Sequence, residues 1–403
     1  MTDLTVETRR TDPVASLIPF ADARHPLLFL RRGDGIAGIG EALRLEFHGP
    51  TRLTDAADAW REVAATAQVS DDVKVGGSGL VAFGAFAFDD TSTRTSVLIV
   101  PRVVIGRRDG VGWITRVNGA EDVLSASPLG SEYRLSLHPG LVAPDAFRAS
   151  VSTAVARILA GDLEKVVLAR DLLGHVPEGA DLRRVLLELA LGYPDTWTFA
   201  VDGHLGSSPE TLVRVHAGDV TARVLAGSHA RGADAEADAA ASLELATSSK
   251  DLDEHRFAVE SVLAALRPHG AGITATELPF ALKLPNLWHL ASDVHGRLSD
   301  GSGALDLVAA LHPTAAVAGT PTRAAVELIR ELEPFDRGLY GGAVGWVDQA
   351  GDGKWAISLR SAQVDADGTL TAFAGAGIVA ESDPDRELAE TKLKFRPIVE
   401  AFG

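Results

Sequence analysis

A chain of 403 residues, 46% apolar and 23% charged, is long enough to bury a large core. Its formal charge of −17 disfavours a general affinity for nucleic acid or anionic membranes, which depends on clustered Lys and Arg. The absence of cysteine excludes disulfides, zinc–thiolate sites, iron–sulfur clusters and thiol catalysis. No apolar run reaches the roughly 18–20 residues of a membrane span, and the first residues have no apolar signal core. A cytoplasmic location is therefore expected.

Residues 1–140 read as a β-rich part with little chemistry. Strand-like runs at 27–31, 44–49, 96–108 and 112–117 alternate with polar turns. One helix is predicted over 55–68, where Ala56, Trp60, Val63 and Ala64 share a face. The glycine-rich stretch 76–90 lacks the lysine signature of a phosphate loop and any following helix. It reads as a buried strand whose glycines permit close backbone approach.

A helix over 145–160 carries Phe147, Val151, Val155, Ile158 and Leu159 at helical spacing and stops at Gly161. The strand at 162–173 is apolar on both faces, so it is expected at the centre of a sheet. Lys165 lies within it. Burial would move this amine toward the range in which it acts as a base, whereas at a strand edge it would snorkel to water. After a helix at 182–191, strands at 197–203 and 206–215 follow. Glu210 stands between Pro209 and apolar Leu212 and Val213. It reads as an exposed turn residue or as a carboxyl raised into the range of a general acid.

The strand at 220–232 is expected to end in a tight turn at Gly227. A helix over 248–266 places Glu254 near its first turns, where a solvated position is the default. The strand at 283–298 sets His289 among apolar neighbours, as a core histidine or a catalytic one. Helices at 304–311 and 322–332 precede a β-rich end, read as an antiparallel meander with turns at Gly351-Asp352-Gly353 and Asp367-Gly368. Arg360 is placed mid-strand, where a buried cation demands an anionic partner. Finally, the glycine-punctuated strand end at Gly375 and Gly377 runs through Asp383-Pro384 into a helix. Glu387, Glu390 and Lys394 share one face of it. Two carboxylates are the hard-oxygen donors that Mg2+ prefers, though a solvated Glu/Lys face has the same spacing.

Nine blocks, in order, carry a resemblance: LEKVVLARDL, GSSPETLVRV, LAGSHARG, SSKDLDEH, LWHLAS, LHPTAAVAGTP, LEPFDRGLYGGAVGW, ISLRSA and AGAGIVAESDPDRELAETKLK. The chain resembles the chorismate-utilising enzymes, densely over residues 145–400 and more loosely at 76–90. The resemblance implies an α+β fold, two large antiparallel β-sheets packed face to face with helices outside, over one chorismate-binding domain spanning 1–403. It implies chorismate as substrate and Mg2+ as cofactor, with Glu254, Glu387 and Glu390 as metal acids. Arg360 and Lys394 match groups that hold the substrate carboxylates, with Tyr340 and the Gly377 backbone nearby. His289 matches the histidine beside the ring, and Gly227 the glycine whose backbone approaches it.

Two positions bear on the reaction. Lys165 stands where water-using relatives carry their base, and ammonia-using relatives typically carry Gln. Ala226 stands where aminodeoxychorismate synthases carry a lysine nucleophile. The implied nucleophile is therefore water, with Lys165 as base, Glu210 as acid and no obligate glutaminase subunit. The expected activity is isochorismate synthesis, feeding menaquinone or siderophore production. Salicylate synthase, which goes on to eliminate pyruvate, is the alternative. A monomer is expected.

Overall fold

A computed structural model describes residues 3–121, 125–285 and 287–403. Its β-strands form two sheets, of 13 and 10 strands among the described residues. The strands that position the site come in chain order. Val81–Phe86 (β1) is buried throughout. Lys165–His175 (β2), His204–Ser208 (β3), Thr211–His216 (β4) and Asp219–Ala230 (β5) follow. Helix Ser249–Leu266 (α1) leads to Leu287–Leu298 (β6). Four strands then succeed one another: Ala343–Asp348 (β7), Gly353–Ile357 (β8), Ser361–Val364 (β9) and Thr369–Ile378 (β10). The last helix is Pro384–Phe402 (α2).

The first sheet contains β2, β10, β9 and β3 side by side; the second contains β6, β5, β4, β8, β7 and β1. Among the described residues the strands pair antiparallel, except that Thr5–Thr11 runs parallel to Gln68–Asp71. A core cluster that includes Phe29, Ile36 and Phe199 of the first sheet with Phe83, Val344 and Trp346 of the second fills the space between them. On the outer side of the first sheet, Leu186 and Leu189 pack with Phe395, Ile398 and Phe402 of α2. The N-terminal residues supply strands to both sheets: Leu27–Arg31 pairs with Trp197–Val201, and β1 pairs with β7. No helix among the described residues is long and apolar enough to cross a membrane.

Several predicted runs divide where the chain passes between sheets. The run 96–108 breaks at Pro101-Arg102, and its halves pair in different sheets. The run 206–215 breaks at Pro209-Glu210, between β3 and β4. The predicted C-terminal meander is in fact two hairpins, because the chain leaves the second sheet after β8 and enters the first at β9. Arg360 is therefore not mid-strand. It sits in this second corner with φ of 50°. Gly77 and Gly79, at positive φ, precede β1 rather than lie in it.

The strand predicted to stop at Gly227 continues through it. Register with β6 jumps from Ala226–Leu290 to Ser228–His289, so Gly227 is the extra residue of a β-bulge. Its φ of +77° favours glycine. Asn286, within the predicted strand at 283–298, lies outside the described residues.

Candidate active site

The two inter-sheet corners lie against each other. Ile357 N–H donates to Glu210 O at 3.1 Å, and Ser207 N–H donates to Arg360 O at 3.1 Å. Glu210 and Arg360 are thereby held where the sheets meet. Two helices close the remaining sides. α1 is capped by Ser248, whose Oγ accepts from Asp251 N–H at 3.2 Å. α2 is capped by Asp383, whose Oδ1 accepts from Asp385 and Arg386 N–H at 3.1 and 3.0 Å. These caps satisfy otherwise orphaned donors and fix where each helix starts. Glu254, Glu390 and Lys394 thus face inward.

A small enclosed cavity results. Glu210, Gly227, Glu254, His289, Tyr340, Arg360, Gly377, Glu390 and Lys394 line it. Lys165 sits immediately behind, 1% exposed, with Nζ 2.9 Å from Glu254 Oε1. It is the first residue of β2, yet it is buried rather than snorkelling to water. Glu387 is buried on α2 but does not line the cavity.

Glu210 is buried at 4% exposure, and desolvation raises its carboxyl to about 7. The Leu225 N–H and the charges of Arg360, Lys165 and Lys394 oppose that rise without cancelling it. His289 Nδ1 lies 3.2 Å from Gly227 O, and its Nε2 lies 3.3 Å from Arg360 Nη2. Burial, with Arg360 and Lys394 nearby, pushes the imidazole well below its usual range, so it is neutral. Nδ1 then donates to the Gly227 carbonyl, and the Nε2 lone pair accepts from Arg360.

The anionic partner expected for Arg360 is not a protein carboxylate. Among the described residues its hydrogen bond goes to neutral His289, and burial lowers its pKa. The position is suited to an incoming carboxylate. Lys394 Nζ donates to Gly375 O at 3.0 Å and to Glu390 Oε1 at 2.6 Å. Ser228 Oγ donates to the same Glu390 oxygen at 3.0 Å. A Cβ on Gly377 would lie 2.7 Å from Glu254 Oε1 and 3.1 Å from Lys165 Cε, so the ion pair occupies the space a side chain would take.

Glu254 and Glu390 bring all-oxygen donors to one cavity, which fits a hard divalent cation. Glu387 does not join them there. Among the described residues no group of three acidic or histidine side chains is arranged to hold a metal.

Sequence reasoning missed four contributors. Ser228 enters the site only because of the bulge. His255, next to Glu254, ties α1 to both neighbouring strands through Ala226 O at 3.3 Å and Ser292 Oγ at 2.8 Å. Glu333 and Arg337 form a buried ion pair at 2.6 Å beneath the site. Their i, i+4 spacing was visible, but their burial was not.

The family model for chorismate binding enzymes matches residues 1–403. The chain belongs to the chorismate-binding enzyme family. An isochorismate synthase of Bacillus subtilis is 43% identical over 272 residues, covering 64% of this chain and 68% of the relative. Among solved structures, DhbC of Bacillus anthracis aligns with a TM-score of 0.80 at 33% identity, covering 96% of this chain and 98% of that one. The menaquinone-specific isochorismate synthase MenF of Escherichia coli aligns with a TM-score of 0.80 at 24% identity, covering 98% and 94%, and shows the shared fold. The expected pair of packed sheets with outer helices is thus the fold of this family.

Proposed function

We propose that this enzyme converts chorismate to isochorismate by adding water at C2 of the ring and expelling the C4 hydroxyl. The observation that supports this most is Glu210. It is a buried carboxyl raised to about 7, in one cavity with the cations Arg360 and Lys394 and in electrostatic contact with Lys165. An acid that stays protonated near neutrality is what departure of a hydroxide-like group requires.

The two cations suit the two carboxylates of chorismate. Arg360, with no carboxylate partner of its own among the described residues, takes one, and Lys394 takes the other. Neutral His289 holds the Arg360 guanidinium in place without adding charge. Mg2+ bound by Glu254 and Glu390 would screen the negative charge gathered in the cavity. Lys165 accepts a proton from water while the oxygen bonds to C2. The C1–C2 double bond moves to C1–C6, the C5–C6 double bond moves to C4–C5, and the C4–O bond breaks. Glu210 gives its proton to the departing hydroxyl, which leaves as water. Base and acid have then exchanged protonation states, so the reverse reaction uses the same pair with roles reversed.

We further infer that the 403 residues act as one catalytic unit without a glutaminase partner, since water is the nucleophile in this reading. Incubation with chorismate and Mg2+, with product detected by an added isochorismatase, tests the proposal. Pyruvate is expected only when the second enzyme is present. Stoichiometric pyruvate and salicylate from the enzyme alone would move the assignment to salicylate synthesis.

A further inference from the structure

β4 and β8 leave the two catalytic corners, at Glu210 and at Ser358–Arg360, and run to the far end of the second sheet. There Arg214 of β4 lies directly opposite Lys354 of β8, and Lys354 lies opposite Trp346 of β7. Lys354 is two residues from Ala356, which packs between the sheets, so its side chain points toward the first sheet. It meets Trp197 there, with Nζ 5.5 Å from the ring centre, and Arg31 Cζ lies 5.4 Å from the same ring. Arg108 Cζ lies 5.8 Å from the Trp346 ring, in room left by Gly76, where a Cβ would come within 2.8 Å of Nη1. Cations from both sheets therefore converge on two indoles.

The protein supplies these cations with almost no counterions. Among the described residues the side chains of Arg31, Arg108, Arg214 and Lys354 make no hydrogen bond or ion pair, and Arg31 Nε is buried without an acceptor. Neighbouring carboxylates are engaged elsewhere: Asp195 with Arg32 at 2.5 Å, Asp293 with Arg223 at 2.6 Å and Asp34 with Arg107 at 3.3 Å. Asp348 accepts from N–H groups of its own turn, and burial raises it to about 7. Exposed Asp109 is left as a nearby carboxylate without a cation of its own among the described residues. Burial and the charges of Arg108 and Arg214 push the Lys354 ammonium down to about 7. Like charges directly opposite on neighbouring strands repel, and half-buried cations without partners cost stability. In a chain with a formal charge of −17, this concentration of unpaired positive charge is an exception. Neither indole leaves a free face for a nucleobase. Phe29 stacks on Trp197 at 4.9 Å, two cations lie close to the same ring, and Trp346 is 2% exposed.

We propose that this cationic cluster is a second ligand site, separate from the catalytic one, for a compact oligophosphate of two or more phosphate groups. A phosphate group carries a charge of about −1.5 to −2, so two such groups match the four cations offset by Asp109. Arginine forks pair with phosphate oxygens through two bonds at once, and the lysine adds a point charge. The bound oxygens give the guanidiniums and the ammonium the acceptors they lack, and turn the repulsion between Arg214 and Lys354 into a shared attraction. Binding here does not depend on the reaction proposed above.

Titration calorimetry of the full chain with inorganic pyrophosphate, in metal-free buffer at fixed ionic strength, tests the site. Pyrophosphate is expected to bind, with orthophosphate and sulfate at least about tenfold weaker. Arg108→Gln and Arg214→Gln should each weaken pyrophosphate binding by about tenfold, the loss of one charge-assisted hydrogen bond, and both should keep chorismate turnover. Arg360→Met, which alters the catalytic cavity, should bind pyrophosphate as the wild type does. Lys354→Met keeps an apolar contact with Trp197 but removes a repelled charge. Without ligand it should melt no lower than the wild type, and it should lose the stabilisation that pyrophosphate gives. A purely structural role for Lys354 predicts the reverse, a lower melting temperature with that stabilisation intact. Adenosine diphosphate should bind no more tightly than pyrophosphate, since its base has no ring to stack on. The proposal is overturned by an absence of binding to the wild type at millimolar pyrophosphate, or by citrate binding as tightly as pyrophosphate. Binding lost in Arg360→Met but kept in Arg214→Gln would place the probe in the catalytic cavity and also overturn it.

Discussion

At the scale of single residues, the protonation of Glu210 sets the sign of the pH dependence. Its folded pKa, about 7, lies above the ordinary carboxyl value of 4.5, so the acid form is present below about 7 and is lost above it. With chorismate as substrate the acid form is needed, and kcat/KM is expected to fall as pH rises through about 7. With isochorismate as substrate the same carboxylate must accept a proton, and the limb inverts. Glu210→Gln should remove this limb in both directions and slow turnover by about 10²–10⁴-fold, the usual cost of losing general acid catalysis. An unchanged pH profile in the variant would remove Glu210 from the mechanism. Gly377→Ala probes the neighbouring pair. Its Cβ would press on Glu254 Oε1 at 2.7 Å, the end of a side chain that can shift. Folding should survive while the Lys165–Glu254 geometry does not, and displacement on that scale costs about 10²-fold in rate. A variant with wild-type kcat would show that the pair tolerates displacement.

Much of the site was legible at this scale because its residues contradict their local surroundings. Lys165 in an apolar strand and Glu210 beside Pro209 both turned out to be buried. Resemblance then joined positions as distant as Glu254 and Lys394. Arg360 stood out as a buried cation, but its corner did not, since an apolar run with one cation reads as a strand. Its hydrogen bond to His289 was not legible either, because a neutral imidazole at that position depends on burial from both sheets.

At the scale of elements, β2 is the strand whose position matters most, and part of one edge is completed by side chains. Glu333 Oε1 accepts from Ala169 N–H at 2.7 Å, while Arg337 Nη2 donates to Val167 O at 2.7 Å. Arg337 also donates to Val317 O at 2.9 Å. The ion pair thus acts as a short substitute strand two residues from Lys165. Arg337→Met leaves Glu333 buried without its cation and is expected to destabilise the fold by about 3–5 kcal/mol. The double variant Glu333→Leu with Arg337→Met should lose less, because no charge stays buried alone. Denaturant midpoints measure both, and a double variant less stable than the single would contradict this reading of the pair. The bulge at Gly227 is the other such device, since it turns Ser228 toward Glu390. Period-two alternation revealed the strand but not the bulge, because one extra residue in a strand leaves no mark in composition.

At the scale of the whole molecule, the site exists because chain segments far apart in sequence cross between two sheets at one place. The strands and helices were largely readable from hydrophobic periodicity. Their division between sheets was not, because Pro101-Arg102, Pro209-Glu210 and Ser358–Arg360 are short corners within continuous apolar runs. The proposed metal belongs to this scale, as Glu254 and Glu390 come from helices more than a hundred residues apart. Chelation is expected to stop turnover and added Mg2+ to restore it, and calorimetry should detect Mg2+ binding that Glu254→Gln weakens. Full activity in excess chelator would exclude the metal.

The central claim is that the new hydroxyl comes from solvent, activated by Lys165, and not from transfer of the substrate's own hydroxyl. Turnover of chorismate in water enriched in oxygen-18, with mass analysis of isochorismate after a single pass, measures this directly. The account predicts one heavy oxygen in the product, at the C2 hydroxyl, and its loss together with turnover in Lys165→Gln. Isochorismate formed at full rate without the label would contradict it.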